Sequence, residues 1–303
     1  MCPQLHSESL NLYEMFLEVR KNLSETTASY WSDLEVYNKL NQGQKHIAVK
    51  SKCLKKTATI TTTASTQEYD LNSTTNGFSD IIDIAEDGVY FKMGGTTYQP
   101  LKYRTKKQLA TEFSGWQGLS ASTPQYYYYN KTIKTIGLVP KPNSSNAGAY
   151  LFITGYHYPK VLLAGTAAGG SATTITFAAG TSTIPYPNPI NDYYNDLYIE
   201  IYSNTGAGQR LKITDYVGSS RIATVAWTTQ PDATSIYGLV PQISEGAHEL
   251  MPLYALWKLW SKGGSRTNLA NNYRQEYFSG LSDFIGETIE EDDEEIIRDS
   301  YRR

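Results

Sequence analysis

The chain is poor in the residue types that carry chemistry. It holds two cysteines, Cys2 and Cys53, and four histidines in 303 residues. Two cysteines build no disulfide framework, and His6, His46, His157 and His248 fall on separate segments without paired spacing, so no zinc site is expected. Long apolar runs are missing too. A membrane helix needs about 20 apolar residues, whereas the longest candidate, Leu250–Trp260, is shorter and contains Lys258. The N-terminal residues lack the charged-then-apolar pattern of a secretory signal. Neither sign of charge dominates: 27 Lys and Arg face 30 Asp and Glu, a net charge of −3. That balance argues against a chain that binds nucleic acid along its whole surface. A mean hydropathy of −0.44 fits a soluble chain that meets no membrane.

Catalytic signatures are equally scarce. Gly206-Ala207-Gly208-Gln209-Arg210 has the glycines of a phosphate loop but lacks the Lys-Ser/Thr and the following helix, so it reads as a hairpin turn. No nucleophile elbow occurs, and His248-Glu249 lacks the second histidine of a zinc protease. Asp192, Asp196 and Glu200 are carboxylates of the kind that make a glycosidase pair or a calcium site, as in any acidic loop. The reading is therefore a non-enzyme with no catalytic residue, no cofactor and no metal.

What the chain does have is an uneven texture. Leu12, Tyr13, Phe16, Leu17 and Arg20 follow helical spacing over 9–23, and Ser32-Asp33-Leu34-Glu35 is a capping box for a second helix running to about 53. Gly43 weakens the middle of that helix. Lys45, Lys50, Lys52, Lys55 and Lys56 crowd its end, where cations favour the helix dipole, present a solvated face or touch phosphates. Strands are expected at 57–63, 68–71, 78–84 and 89–91, the last two joined by an Asp87-Gly88 hairpin. A short helix over 105–113 ends at Gly115. A second hairpin turns at Asn130-Lys131, with 149–158 as the third strand of its meander. Residues 165–240 then change composition to Thr, Gly, Ala and Tyr, patterned as about five short strands, a small barrel or sandwich. Leu250, Leu253, Tyr254, Trp257 and Trp260 make one apolar helical stripe ended by Gly263-Gly264. Leu269, Tyr273, Tyr277, Leu281 and Phe284 make another, capped by Ser265. The fold class expected is α+β: a helical bundle with a small antiparallel sheet (residues 1–164 and 241–286), an all-β module inserted at 165–240, and a tail over 287–303.

Two features point to contact. Tyrosine is abundant, at 25 residues with a run over 126–129. Tyrosine suits wet interfaces and also fills half-buried strand positions. Tyr126, Tyr128, Tyr186, Tyr193 and Tyr194 are the candidates for a subunit or fibre interface; within one strand, at most two of the four tyrosines at 126–129 share a face. The tail sets eight acids against three bases, a net −5, which favours an extended or disordered course. Phe284, Ile285, Ile289, Ile296, Ile297 and Tyr301 give it apolar anchors, either for docking on a partner or as part of a solvated end.

An ordered series of short signatures resembles the head-to-tail adaptor (connector) proteins of tailed bacteriophages. It comprises Tyr30-Trp31-Ser32-Asp33, the stretch Tyr37 to Lys45, Gln67-Glu68-Tyr69-Asp70-Leu71, Thr123-Pro124-Gln125-Tyr126-Tyr127, Ile136 to Pro142, Tyr156-His157-Tyr158-Pro159 and the two closing helices. The module at 165–240 is more loosely similar to Gly-Ala-Gly-Gln β segments of phage structural proteins. The resemblance implies a homo-oligomeric ring, commonly a dodecamer, in the virion neck between capsid and tail. Its partners would be the portal protein and the tail or nozzle protein, with tail fibres a further contact and double-stranded DNA passing through unbound. The family fold implied is a helical bundle with a β extension. Two other readings remain: a glycan- or receptor-binding fibre, spike or decoration protein, and a polysaccharide hydrolase using Asp192 or Asp196.

Overall fold

A computed structural model describes residues 10–25, 27–73, 78–92, 98–262 and 267–300, the last fourteen of these by backbone course only. By contacts the chain divides into two compact units, residues 1–53 with 159–303, and residues 54–158. The segment 165–240 thus stays in the unit of the helices, and the separable piece is the earlier β-rich stretch.

The first unit begins with α1 (Leu12–Asn22) and α2 (Asp33–Ser51). Asn11 caps α1: its side chain accepts from the amides of Tyr13 and Glu14, and Glu14 Oε2 accepts from the Asn11 amide. Ser32 Oγ accepts from the Glu35 amide at the start of α2, so the expected cap is present in its forward half. Buried Arg20 closes the α1–α2 corner through Asp33 and Glu25. One expectation is corrected here. The second helix ends at Ser51 on a left-handed Lys52, so Lys55 and Lys56 lie on a strand. Gly43 is buried where α2 meets a later helix, and an added Cβ would sit 3.3 Å from Tyr254.

Among its described residues the second unit holds eight strands and one α-helix. They are β1 (Lys55–Thr61), β2 (Glu68–Asp70), β3 (Ile81–Lys92), β4 (Tyr98–Pro100), β5 (Lys102–Tyr103), α3 (Lys106–Glu112), β6 (Tyr126–Asn130), β7 (Thr135–Val139) and β8 (Tyr150–His157). One sheet has the order β1-β8-β3-β4 and is antiparallel; the other has the order β2-β7-β6-β5, with β5 and β6 parallel. Ile60, Val89, Phe91, Leu151 and Ile153 from the first sheet pack with Tyr127, Ile136 and Leu138 from the second. The predicted Asp87-Gly88 hairpin does not exist. β3 runs straight through it, and the register on β8 slips between Ile84 and Val89, a bulge. Asp87 takes a φ of 53°, and an added Cβ on Gly88 would lie 2.7 Å from the Thr154 carbonyl. β8 is likewise not the third strand of the β6–β7 meander, because it pairs with β1 and β3 in the other sheet.

The chain returns to the first unit with eight short strands: β9 (Ala164–Thr166), β10 (Gly169–Ser171), β11 (Thr174–Thr176), β12 (Tyr198–Ser203), β13 (Arg210–Lys212), β14 (Asp215–Val217), β15 (Ile222–Thr224) and β16 (Ile236–Leu239). They form two antiparallel four-stranded sheets, β10-β11-β15-β14 and β13-β12-β16-β9. Phe177 lies between them, stacked on Tyr216 of one and Tyr237 of the other. β9 and β10 escape sequence reading because they are three residues long and glycine-rich. α4 (Leu250–Lys262) and α5 (Thr267–Ser300) close the unit, with Pro252 in the first turn of α4. Trp31 packs edge-on against Trp260 and donates Nε1–H to the Leu259 carbonyl at 3.2 Å. The tail is not extended, for α5 continues as helix through Ser300. The expected helix stop at Gly263-Gly264 and cap at Ser265 lie outside the described residues.

Candidate interaction surfaces

The tyrosines at 126–129 alternate across β6. Tyr127 joins the core between the two sheets, and Tyr128 packs with Leu109, Trp116 and Val139 on the opposite face. Tyr128 is 3% exposed and donates its hydroxyl proton to Glu68 at 2.7 Å, a bond that holds the Glu68 carboxyl below its ordinary range. Tyr128 is therefore a structural anchor with no area left for a partner. Tyr126 is half-buried against Phe113, with the Arg104 guanidinium over its ring. In the 165–240 module, Tyr194 is fully buried against Phe177 and Tyr216, a core residue. Tyr193 is half-buried and accepts the Val161 amide. Tyr186 alone of the five is broadly open, at 69% exposure.

Among the docking candidates, Phe284 is buried and Ile285 half-buried. Ile289, Ile296 and Ile297 lie on the α5 backbone, and Tyr301 lies outside the described residues.

Two faces that sequence reasoning did not single out carry open aromatic area. The outer face of the β1-β8-β3-β4 sheet sets Phe152 beside Tyr90 and Tyr150 beside Lys92, with Tyr98 on the far side of Lys92. Tyr98 is 51% exposed, lies 5.4 Å from Phe152, and has the Lys92 ammonium 4.8 Å over its ring. The available signal was β8 itself, in which Tyr150, Phe152 and Tyr156 occupy one face while Leu151 and Ile153 occupy the other.

The second face belongs to α2, α4 and α5. Trp257 touches Tyr277 and Phe278, and Phe278 is 41% exposed. Lys258 Nζ sits 3.6 Å over the Trp257 ring, and the Arg274 guanidinium lies 5.8 Å from the rings of both Trp257 and Phe278. His46 Nδ1 is 2.6 Å from the Tyr277 hydroxyl. Burial, then the charges of Lys50 and Lys258, lower the His46 pKa; burial, then Lys39 and Arg274, lower that of Lys258. This is a cationic aromatic surface with like charges facing one another.

The carboxylates and the histidine that the sequence offered as reactive groups, and Asp80, are tied into structure. Burial opposes the charged form of Asp80, but bonds from His157 and Lys56 outweigh it and hold the carboxyl down to about 2. His248 is buried, accepts the Leu10 amide at Nδ1 and bonds the Ile243 carbonyl at Nε2. Asp196 pairs with Lys212, Glu200 with Arg210, and Asp192 with the Asn195 amide. Gln209 of the Gly-Ala-Gly-Gln turn uses its amide to clamp loops: it donates to Gly206 and Thr229 and accepts from Thr228 and Thr229. Among the described residues no cluster of three or more His, Cys, Asp or Glu has metal-holding geometry, and no helix is long and apolar enough to cross a membrane.

A family model described as SU10 adaptor protein matches residues 10–171, or 162 of the 303 residues. The match takes in α1, α2, the whole second unit and the first strands of the module. No curated protein matches the chain.

Proposed function

Because the chain belongs to the SU10 adaptor protein family, we propose that it is a head-to-tail adaptor, a ring that joins the portal to the tail and extends the DNA channel. At the coarser level it is a phage adaptor-type structural protein, a component of the virion. The family match over more than half the chain carries the reading. Support comes from two open faces that carry exposed aromatic rings beside lysine and arginine, and from the titratable groups named above, which are held in ion pairs and hydrogen bonds. A ring repeats one heterologous contact around an axis, and a twelvefold ring needs two unlike faces on each subunit. Residues 165–240 act as the contact module toward fibres or neighbouring subunits, with Tyr186 on their open surface. DNA passes without being held, because dense phosphate contacts would stall it.

The test mixes the purified chain with portal rings and images the product by electron microscopy. Twelvefold rings seated on the portal support the adaptor. Free trimers that ignore the portal and bind glycans refute it in favour of a fibre or spike. Tight DNA binding at physiological salt counts against the conduit.

A further inference from the structure

The cationic face of the first unit and the acidic end of the chain are complementary, and they lie on the same helix. Arg274 and Phe278 stand near the start of α5, with Lys39 of α2 and Trp257 and Lys258 of α4 beside them. None of Lys39, Lys50, Lys258 and Arg274 is in an ion pair among the described residues; Lys39 bonds Gln42, and Lys258 and Arg274 lie over rings. Burial first, then the charges of Lys39 and Arg274, lower the pKa of Lys258, and no acid is among the causes. Cations set over partly exposed aromatic rings keep their charge available to an incoming anion while the rings offer apolar area.

The chain supplies one strongly acidic stretch. Residues 287–303 hold eight acids and three bases, a net −5, which leaves residues 1–286 at +2 within a total of −3. The acids lie on the last turns of α5, which is a continuous helix from Thr267 to Ser300. From Arg274 to Glu290 is 16 residues of helix, about 24 Å at 1.5 Å per residue. A continuous helix cannot bring its own end back onto its own beginning, so the acidic end of one copy is out of reach of the patch on that copy.

We propose that the patch formed by Lys39, Trp257, Lys258, Arg274 and Phe278 receives the acidic C-terminal end of α5 from a second copy of this chain. The contact joins two different surfaces, so it is heterologous and repeats around a ring. The inference deepens the ring reading above and rests on it.

The experiment is a charge swap in the full chain, read by sedimentation velocity and native mass at low and high salt. One variant reverses the patch, K258E/R274E. The other reverses the tail, E290K/E291K/E294K/E295K. The wild type self-associates, and salt weakens it. Each variant alone loses association about tenfold or more, since reversal turns exposed attractions into repulsions. An equimolar mixture recovers assembly, because each variant's tail then meets the other's patch. The neutral pair K258Q/R274Q, with an unchanged thermal melt, falls between wild type and reversal. The proposal is overturned if a reversed variant associates like wild type, if mixing does not rescue, or if the wild type stays monomeric up to about 1 mM. Loss of DNA or portal binding in K258E/R274E with self-association untouched also overturns it, assigning the patch to phosphate or to another protein. Portal rings that still bind every variant leave the adaptor reading intact while this contact fails.

Discussion

Replacing Gly137 by alanine destabilises this protein, although the same change in an ordinary strand stabilises. Gly137 on β7 pairs directly with Tyr128 on β6. Its φ is not in the left-handed region, so the backbone accepts an L residue, and alanine in place of glycine then gains about 0.5–1 kcal/mol. The Tyr128 ring, however, lies over the glycine. A Cβ there would sit 2.0 Å from Tyr128 Cζ and 2.4 Å from its Cε1. The ring has to leave, and with it go the edge-on contact to Trp116 at 5.4 Å and the bond to Glu68. Exposing a buried aromatic side chain costs about 1.5–3 kcal/mol, and the lost hydrogen bond about 0.5–1.5 kcal/mol. After the backbone gain, about 1–4 kcal/mol of destabilisation remains. Urea unfolding read by near-ultraviolet dichroism measures it as a lower midpoint. The control is Tyr128→Ala: with the ring gone, Gly137→Ala turns neutral or stabilising, a coupling of about 2 kcal/mol or more in the double-mutant cycle. A neutral Gly137→Ala, or the same cost in both backgrounds, refutes the reasoning.

Three further expectations follow from the same kind of accounting. Asn11→Ala removes the side-chain oxygen that accepts both amides of the α1 cap and lowers stability by about 1 kcal/mol in chemical unfolding. Asp80 is held at about 2 in the folded chain against an ordinary 3.8, so it stabilises above the higher value and loses that stabilisation as pH falls through the lower one. The carboxylate is 35% exposed and solvent screens it. Asp80→Asn therefore costs at most about 1 kcal/mol near neutrality, and its deficit against wild type disappears by about pH 2 in acid-unfolding curves. Tyr216→Phe removes the donor to the Asn188 carbonyl and costs about 1 kcal/mol, with faster amide exchange over 186–195 as the local signature.

Local signals were legible where the physics is local. Ser32 caps α2, a short helix lies at Lys106–Glu112 within the expected 105–113, and Leu250, Tyr254 and Trp260 of the α4 stripe are buried. Asp87-Gly88 misled because turn chemistry is only a preference. Pairing of β3 with β8 along most of its length outweighs it, and the glycine serves a bulge pressed against Thr154. The place of Gly43 against Tyr254 is a tertiary contact that no local signal carries. The cationic face was not legible at all. Lys39, Lys258 and Arg274 are far apart in sequence, and only the packing of α2, α4 and α5 brings them together.

Tyrosine content is the instructive case. An excess of tyrosine does not by itself mean interface, because a buried tyrosine can do what a strand ladder does. The segment from Ala178 to Asn195 has no strand of its own. The Tyr194 hydroxyl accepts the Asn188 amide and the Tyr216 hydroxyl donates to the Asn188 carbonyl, while Tyr237 accepts the Ala178 amide. Three core rings thus satisfy backbone groups of a proline-rich loop at Asn188 and Ala178, and their apolar bodies fill the space between two short sheets. The tyrosines left for contact are exposed ones, among them Tyr98 and Tyr150 on an outer sheet face, Tyr198 on β12 and Tyr186 in a loop. Sorting them required the sheet register, which fixes the side each ring occupies.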